Sequence, residues 1–393
     1  MTRFRAVRLA LAALLLVAAP ERLRANMIEI TSLPDYGVDG FLDGVVTGAD
    51  PATHHVATYI QIEGSGWWSK PTTSAPTSPI NPDGTFNVDV ATGGIDNRAT
   101  IYCTALLPTG LNPPLATGAS RIPAALNPDA LDCNERYGRT IEFAGRTWAV
   151  KESPLPVGPG GNRFSDHADD VFVDAQGRLH LGVRFRDGFW RSSEVILLDR
   201  LGHGTYSFQT ADGSGLAELD PNIVFGTFTW DPYGDDDAQP AWPHREIDFE
   251  DSRWGNAADP MNAQMVVQPY HVPGNLRRYT IPDGALTRWF DWGPDQIEFA
   301  ALEGLHAPGT LPAGSVIDHF TYENDPGVSH IVPTPGRAAV HLNLWLNGAQ
   351  PLDGQPAEVI ISDFTFIPEP ATSHMLLALP LVIRRRRARK NGA

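Results

Sequence analysis

The sequence predicts an all-β protein, a double-sheet sandwich preceded by a smaller β-sandwich, and three observations predict it. Turn formers are abundant, with 37 Gly and 34 Pro in 393 residues, too many for a helical bundle. A hydrophobic content of 42% is too high for a disordered chain. Apolar residues recur at every second position in short runs bounded by turn clusters, the period of a half-buried strand.

Residues 1–25 read as an export signal, in which Arg3, Arg5 and Arg8 precede an apolar run from Leu9 to Ala19 that is too short to anchor a helix across a bilayer. A signal peptidase is the partner this implies. Residues 26–114 read as a small accessory sandwich: HHVATYIQIEG, DGTFNVDV and RATIYCTALLP are its strands, and the turn at Asp83-Gly84 leads into Phe86, Val88 and Val90 on one face. Trp67 and Trp68 are adjacent, so on a strand they point to opposite faces, which leaves a choice between a sugar-stacking platform and packing under a loop.

Residues 115–137 are rich in Pro, Ala and Asn without periodicity and read as the linker. Cys103 and Cys133 are the two cysteines, and in an exported chain a disulfide is expected that ties the linker back. Closing a loop of about 30 residues stabilises by roughly 3 to 4 kcal/mol in the chain-entropy account. Residues 138–367 read as the larger sandwich. DDVFVDAQGRLHLGVRF is a hairpin turning at Ala175-Gln176-Gly177, with Leu179, Leu181 and Val183 on one face, and strands follow at GTYSFQ, IVFGTFTW, REIDFE, AQMVVQPY, LTRWFDW, DQIEFAAL, AAVHLNLWL and AEVIISDFTFI. Strands in such number without helical crossovers make a double sheet.

Removing the six basic residues of the tail and the four net positive charges of residues 1–25 takes the formal charge from -16 to -26. So acidic a body repels nucleic acid and anionic membranes but not neutral sugar polymers. No metal or other cofactor is expected, a structural calcium ion finds no support in the sequence, and the chain is expected to be a monomer.

Chemistry concentrates in one strand. Residues i, i+2 and i+4 share a face, so Glu246, Asp248 and Glu250 form an acidic row backed by Ile247 and Phe249. Trp230, Trp242 and Trp254 lie close by, in a chain with 10 tryptophans. Glycoside hydrolysis with retention needs two carboxyl groups about 5 to 5.5 Å apart, one a nucleophile and one an acid and then a base. The outer pair suits this in type, although their Cα atoms would be roughly 13 Å apart along a strand, so both side chains must lean over the middle Asp. That Asp can share a proton with the nucleophile and tune both pKa values. Trp230 and Trp254, then Trp289 and Trp292, are candidates to stack on sugar rings. Gln264 and Gln268 share a face of the next strand and are candidates to bond sugar hydroxyls.

The run His244-Arg-Glu246-Ile-Asp248-Phe-Glu250 resembles the active-site strand of glycoside hydrolase family 16, the laminarinase, lichenase and xyloglucan endotransglycosylase group, and most closely the lichenase and transglycosylase branch. Phe290-Asp-Trp292-Gly-Pro294-Asp295-Gln-Ile297, Leu342-Asn343-Leu344-Trp345 and Val359-Ile-Ile-Ser-Asp-Phe364 are similar to later strands of that family, so the likeness covers roughly 138–367. It implies a concanavalin-A-like β-jelly roll and a retaining endo-β-glycanase or transglycosylase acting on a neutral polysaccharide. Glu246 is then the nucleophile, Glu250 the acid/base and Asp248 the assisting carboxylate. The alternative is a non-catalytic carbohydrate-binding surface or matrix protein. Asp251 departs from the family, where an aromatic is usual, as does Ala300-Ala-Leu-Glu-Gly304.

Residues 368–393 carry a second resemblance. Pro368-Glu369-Pro370, a short apolar run and Arg384 to Arg387 are similar to the PEP-CTERM sorting signal of Gram-negative bacteria. That likeness implies an exosortase-like processing partner and a place outside the cell or on its surface.

Overall fold

The structure, a computed structural model, describes residues 25–123, 126–234, 244–325, 327 and 330–370. The export signal expected over 1–25, the sorting tail expected over 368–393 and Trp242 lie outside the described residues, save Ala25 and residues 368–370. Among the described residues no helix is long and apolar enough to cross a membrane, and regular helix amounts to short 3-10 turns such as Asp96–Arg98 and Leu216–Glu218. The protein is all-β, a jelly-roll-like sandwich preceded by smaller sheets.

The preceding part packs two sheets. Met27–Ser32, Phe41–Thr47 and Thr85–Asp89 form an antiparallel sheet whose strands alternate, with Ile28, Ile30, Leu42, Val46, Phe86 and Val88 turned inward. Its partner sheet runs in the order Thr117–Ala119, Gly66–Lys70, His54–Ile62, Ala99–Pro108, Ala130–Glu135. The central strands His54–Ile62 and Ala99–Pro108 are buried on both faces, which is why they read as continuous apolar runs. One face carries Val56, Ile60, Tyr102 and Leu106 toward the first sheet. The other carries Tyr59, Cys103 and Leu107 into a second cluster with Trp67 and Leu126.

The segment 115–137, expected as a linker, holds two strands of this sheet. Ala130–Glu135 pairs with Ala99–Pro108 with Cys103 opposite Cys133, and the two form a disulfide. The strand shows no period of two because none of its side chains is fully buried.

From Thr140 to Pro368 the strands join in one hydrogen-bonded network of 17, folded into two faces. One sheet runs Thr140–Phe143, Arg146–Val150, Phe189–Leu197, Ala339–Leu346, Ile223–Trp230, Ile247–Asp251, Ala263–Val267, Leu276–Tyr279, every neighbour antiparallel. The facing sheet runs Val171–Val173, Leu179–Arg186, Ala357–Pro368, Gly204–Thr210, Leu286–Trp292, Gln296–Glu303, Val316–Glu323. Between them lies the core, where Phe208, Phe249, Phe290, Phe299 and Phe364 meet with ring centres 5.3 to 6.5 Å apart. Each such buried ring stabilises by about 1.5–3 kcal/mol over leaving it in water.

The two parts are bonded to each other. Gly158 N donates to Gly64 O at 2.7 Å and the Trp67 indole donates to Pro232 O at 2.6 Å. Arg98 pairs with Glu152, and Glu135 accepts from Arg200 at 3.0 Å and from the Tyr233 hydroxyl at 3.1 Å.

Candidate active site

The strand Ile247–Asp251 runs between Ile223–Trp230 and Ala263–Val267. Ile247 and Phe249 are wholly buried in the core, so the intervening side chains must face the other way, and Asp248 and Glu250 line a cavity there together with Glu246, the residue just ahead of the strand. The strand start is pinned by Thr229, whose hydroxyl donates to Arg245 O at 2.8 Å and accepts from Ile247 N at 3.1 Å. Left-handed backbone at Arg245 (φ 56°) and Trp254 (φ 51°) brackets the strand, a conformation non-glycine residues hold only under constraint.

Each inner carboxylate has an amide partner. Gln268 Nε2 donates to Asp248 Oδ2 at 3.1 Å, and Gln264 Nε2 donates to Glu250 Oε2 at 2.7 Å. Gln264 is itself held by Trp254 Nε1 and Arg278 Nη1, each donating to its Oε1 at 3.2 Å. Burial, followed by the neighbouring charges of Glu246 and Glu250, pushes Asp248 well above the usual carboxylate range, and a hydrogen bond with Glu246 favours the protonated form. Burial also lifts Glu250 to about 7, with Asp251 adding to the rise while Gln264 and Arg278 oppose it. Burial therefore favours the protonated form at both Asp248 and Glu250.

The cavity encloses about 430 Å³ and crosses the sheet. Register places Glu250 beside Gly226, Gly226 beside Asn343 and Asn343 beside Glu194, with Asp248, Phe228 and His341 forming the next row. Gly226 keeps the floor flat, since a Cβ there would lie 2.5 Å from Asn343 Oδ1. At the far end Glu194 accepts from Lys151 Nζ at 3.1 Å, sits 2.9 Å from His341 Nδ1 and accepts from Asn343 Nδ2 at 3.3 Å. Burial works against its charge, but the Lys151 ammonium and His341 outweigh it and hold the carboxyl down, at about 2.

No family model and no curated protein matches the chain. Solved structures do resemble it. An immunostimulatory antigen and pseudo β-1,3-glucanase of Mycobacterium tuberculosis is 16% identical, with 56% of this chain and 91% of that one covered and a TM-score of 0.42. A β-1,3-glucanase from Mycobacterium marinum is 17% identical over 56% and 90%, with a TM-score of 0.40. An elongating family-16 β-1,3-glucosyltransferase is 11% identical over 59% and 99%, with a TM-score of 0.37. The likeness is one of β-jelly-roll fold alone, over part of this chain. The expectation of a Gram-negative cell surface finds no support in these matches, because the organisms named for them are mycobacteria.

The expectation of no metal or cofactor is corrected as well. Glu63, Glu194 and His341 each offer one ligand atom, all within 4.8 Å of one another. Two carboxylates and an imidazole are a donor set that zinc accepts, although a cation there would compete with the Lys151 ammonium for Glu194.

Of the sugar-stacking candidates, Trp230 lines the cavity, stacked on His244 with ring centres 3.8 Å apart. Trp254 is linked to Glu250 through Gln264 and lies edge-on to Trp345, which does line the cavity. Trp289 and Trp292 belong to the facing sheet, are 2% and 1% exposed, and donate their indole N–H groups to Thr310 O and Pro333 O, so neither reaches the cavity. Gln264 and Gln268 are engaged by carboxylates. Sequence reasoning missed His341, Asn343 and Trp345, although polar or amphipathic residues at every second place in AAVHLNLWL were a readable signal. Glu63, Lys151 and Glu194 had none, because they meet only through tertiary packing.

Proposed function

We propose that the protein is a retaining β-glycanase or transglycosylase acting on a neutral polysaccharide by family-16 chemistry. The observation that carries this reading is the row of three carboxyl groups at the cavity, Asp248 between Glu246 and Glu250, where burial favours the protonated forms of Asp248 and Glu250. In the first step the Glu246 carboxylate attacks the anomeric carbon, the glycosidic C–O bond breaks, and Glu250 gives its proton to the departing oxygen. In the second, Glu250 as carboxylate takes a proton from water or an acceptor hydroxyl, whose oxygen attacks the same carbon and frees Glu246. Asp248 keeps its proton and bonds to the nucleophile, setting its orientation and basicity. The polysaccharide is the partner this needs, and the leader and tail read from the termini are tested separately by the mass of the mature protein.

The decisive experiment incubates pure protein with laminarin, mixed-linkage glucan, xyloglucan, agar, carrageenan and alginate. Turnover of a neutral glycan supports the reading, and Glu246→Gln and Glu250→Gln should each lower it by several orders of magnitude. On an activated aryl glycoside, azide should rescue Glu250→Gln with net retention and Glu246→Gln, if at all, with inversion. Glycan binding without cleavage would replace the enzyme by a carbohydrate-binding protein.

A further inference from the structure

We propose that the N-terminal sandwich is the end wall of the substrate cleft, with Glu63 receiving the terminal sugar, so that the carboxylates act a fixed number of units from a chain end. The inference rests on the glycanase reading and deepens it.

A glycan lying across the strands from Glu250 passes over Gly226 and Asn343 to Glu194, three strand spacings away, or about 14 Å. Next to Glu194 stands the turn Glu63-Gly64-Ser65, which joins the strands His54–Ile62 and Gly66–Lys70 of the other part and lines the same cavity. At this turn the two sandwiches touch. Gly64 O accepts from Gly158 N at 2.7 Å, and a Cβ on Gly64, whose φ is +71°, would lie 2.3 Å from Gly158 O, so the two backbones are in contact. Behind the turn, Trp67 is wholly buried with its indole N–H on Pro232 O at 2.6 Å, which keeps the wall in place. Glu63 brings a carboxylate to the closed end, where its ligand atom, one of Glu194 and one of His341 lie within 4.8 Å of each other. Carboxylates accept from sugar hydroxyls and repel anionic sugars, so the end fits a neutral terminal unit.

The test follows products rather than total rate. Full-length protein is incubated with laminarin, mixed-linkage glucan and xyloglucan while viscosity, new reducing ends and oligosaccharide length are recorded. One dominant short product from the earliest times, with little fall in viscosity per bond cut, is the expected result. A random ladder with rapid thinning overturns the wall while leaving the glycanase reading intact. No cleavage of any polymer removes the glycanase reading and this inference with it. Glu63→Ala should raise KM about tenfold, the worth of a hydrogen bond to a charged group, with a smaller change in kcat, and an unchanged KM overturns the role of Glu63. Gly64→Val must part the two backbones, so its products should become mixed in length. Should that variant not fold, Glu63→Ala and the wild-type product pattern still decide.

Discussion

Glu250 and Asp248 are both raised by burial and both opposed by an amide, and the difference between them lies in their charged neighbours, two glutamates beside Asp248 against Asp251 and Arg278 beside Glu250. Gln264 donates to Glu250 and so favours its charged form. The proposed acid must carry its proton, so the rate should fall as pH rises through about 7. Gln264→Leu removes the opposing bond and should move that limb to higher pH in a pH–rate profile, an effect a merely structural substitution would not have. Stability follows the same proton. The folded Glu250 holds it to about 7, against roughly 4.3 for an unfolded glutamate. Between those values the folded state binds more protons, so this group's contribution is full below the lower value and lost as pH climbs through the upper one. The melting temperature of Glu250→Gln should therefore fall less than that of the wild type between about pH 4 and 7.

The carboxylate strand is fastened to the facing sheet by an ion pair inside the core. Asp251 and Arg288 are both fully buried and joined, and Arg288 lies over the rings of Phe225 and Phe249 at 5.3 and 6.0 Å. Asp251, where the resembling family usually has an aromatic, thus has a partner in Arg288 rather than a place in the cavity. Asp251→Asn leaves a buried guanidinium without its counter-charge and should cost about 3–5 kcal/mol, whereas Asp251→Leu with Arg288→Met should be close to neutral. Denaturant melts of the single and double variants check this. The strand itself was legible because Ile247 and Phe249 alternate with carboxylates, and alternation was equally clear at Leu179, Leu181 and Val183. It was not legible at Ala130–Glu135, where every side chain is partly open, nor at Trp289 and Trp292, because a period of two says which residues share a face and not what that face meets. Glu63 and Glu194, 131 positions apart in the sequence, could be joined only by the docking of two sandwiches.

Across the whole molecule that docking brings residues of the N-terminal sandwich, Glu63 and Gly64 among them, to the cavity. The disulfide between Cys103 and Cys133 closes 30 residues, and its removal by Cys103→Ala with Cys133→Ala should lower the stability of the first sandwich by roughly 3 to 4 kcal/mol. Thermal melts with and without reductant measure it. Cys133 shares its strand with Glu135, which holds Arg200 and Tyr233 of the larger sandwich, and Tyr233 follows the Pro232 that anchors Trp67. In mechanical terms the disulfide is a tie rod: it stands outside the cavity, within the sandwich whose Gly64 meets Gly158. Loosening it should leave the carboxylates untouched and make the proposed wall compliant, so that reduced protein cuts the same type of linkage but releases a wider spread of lengths.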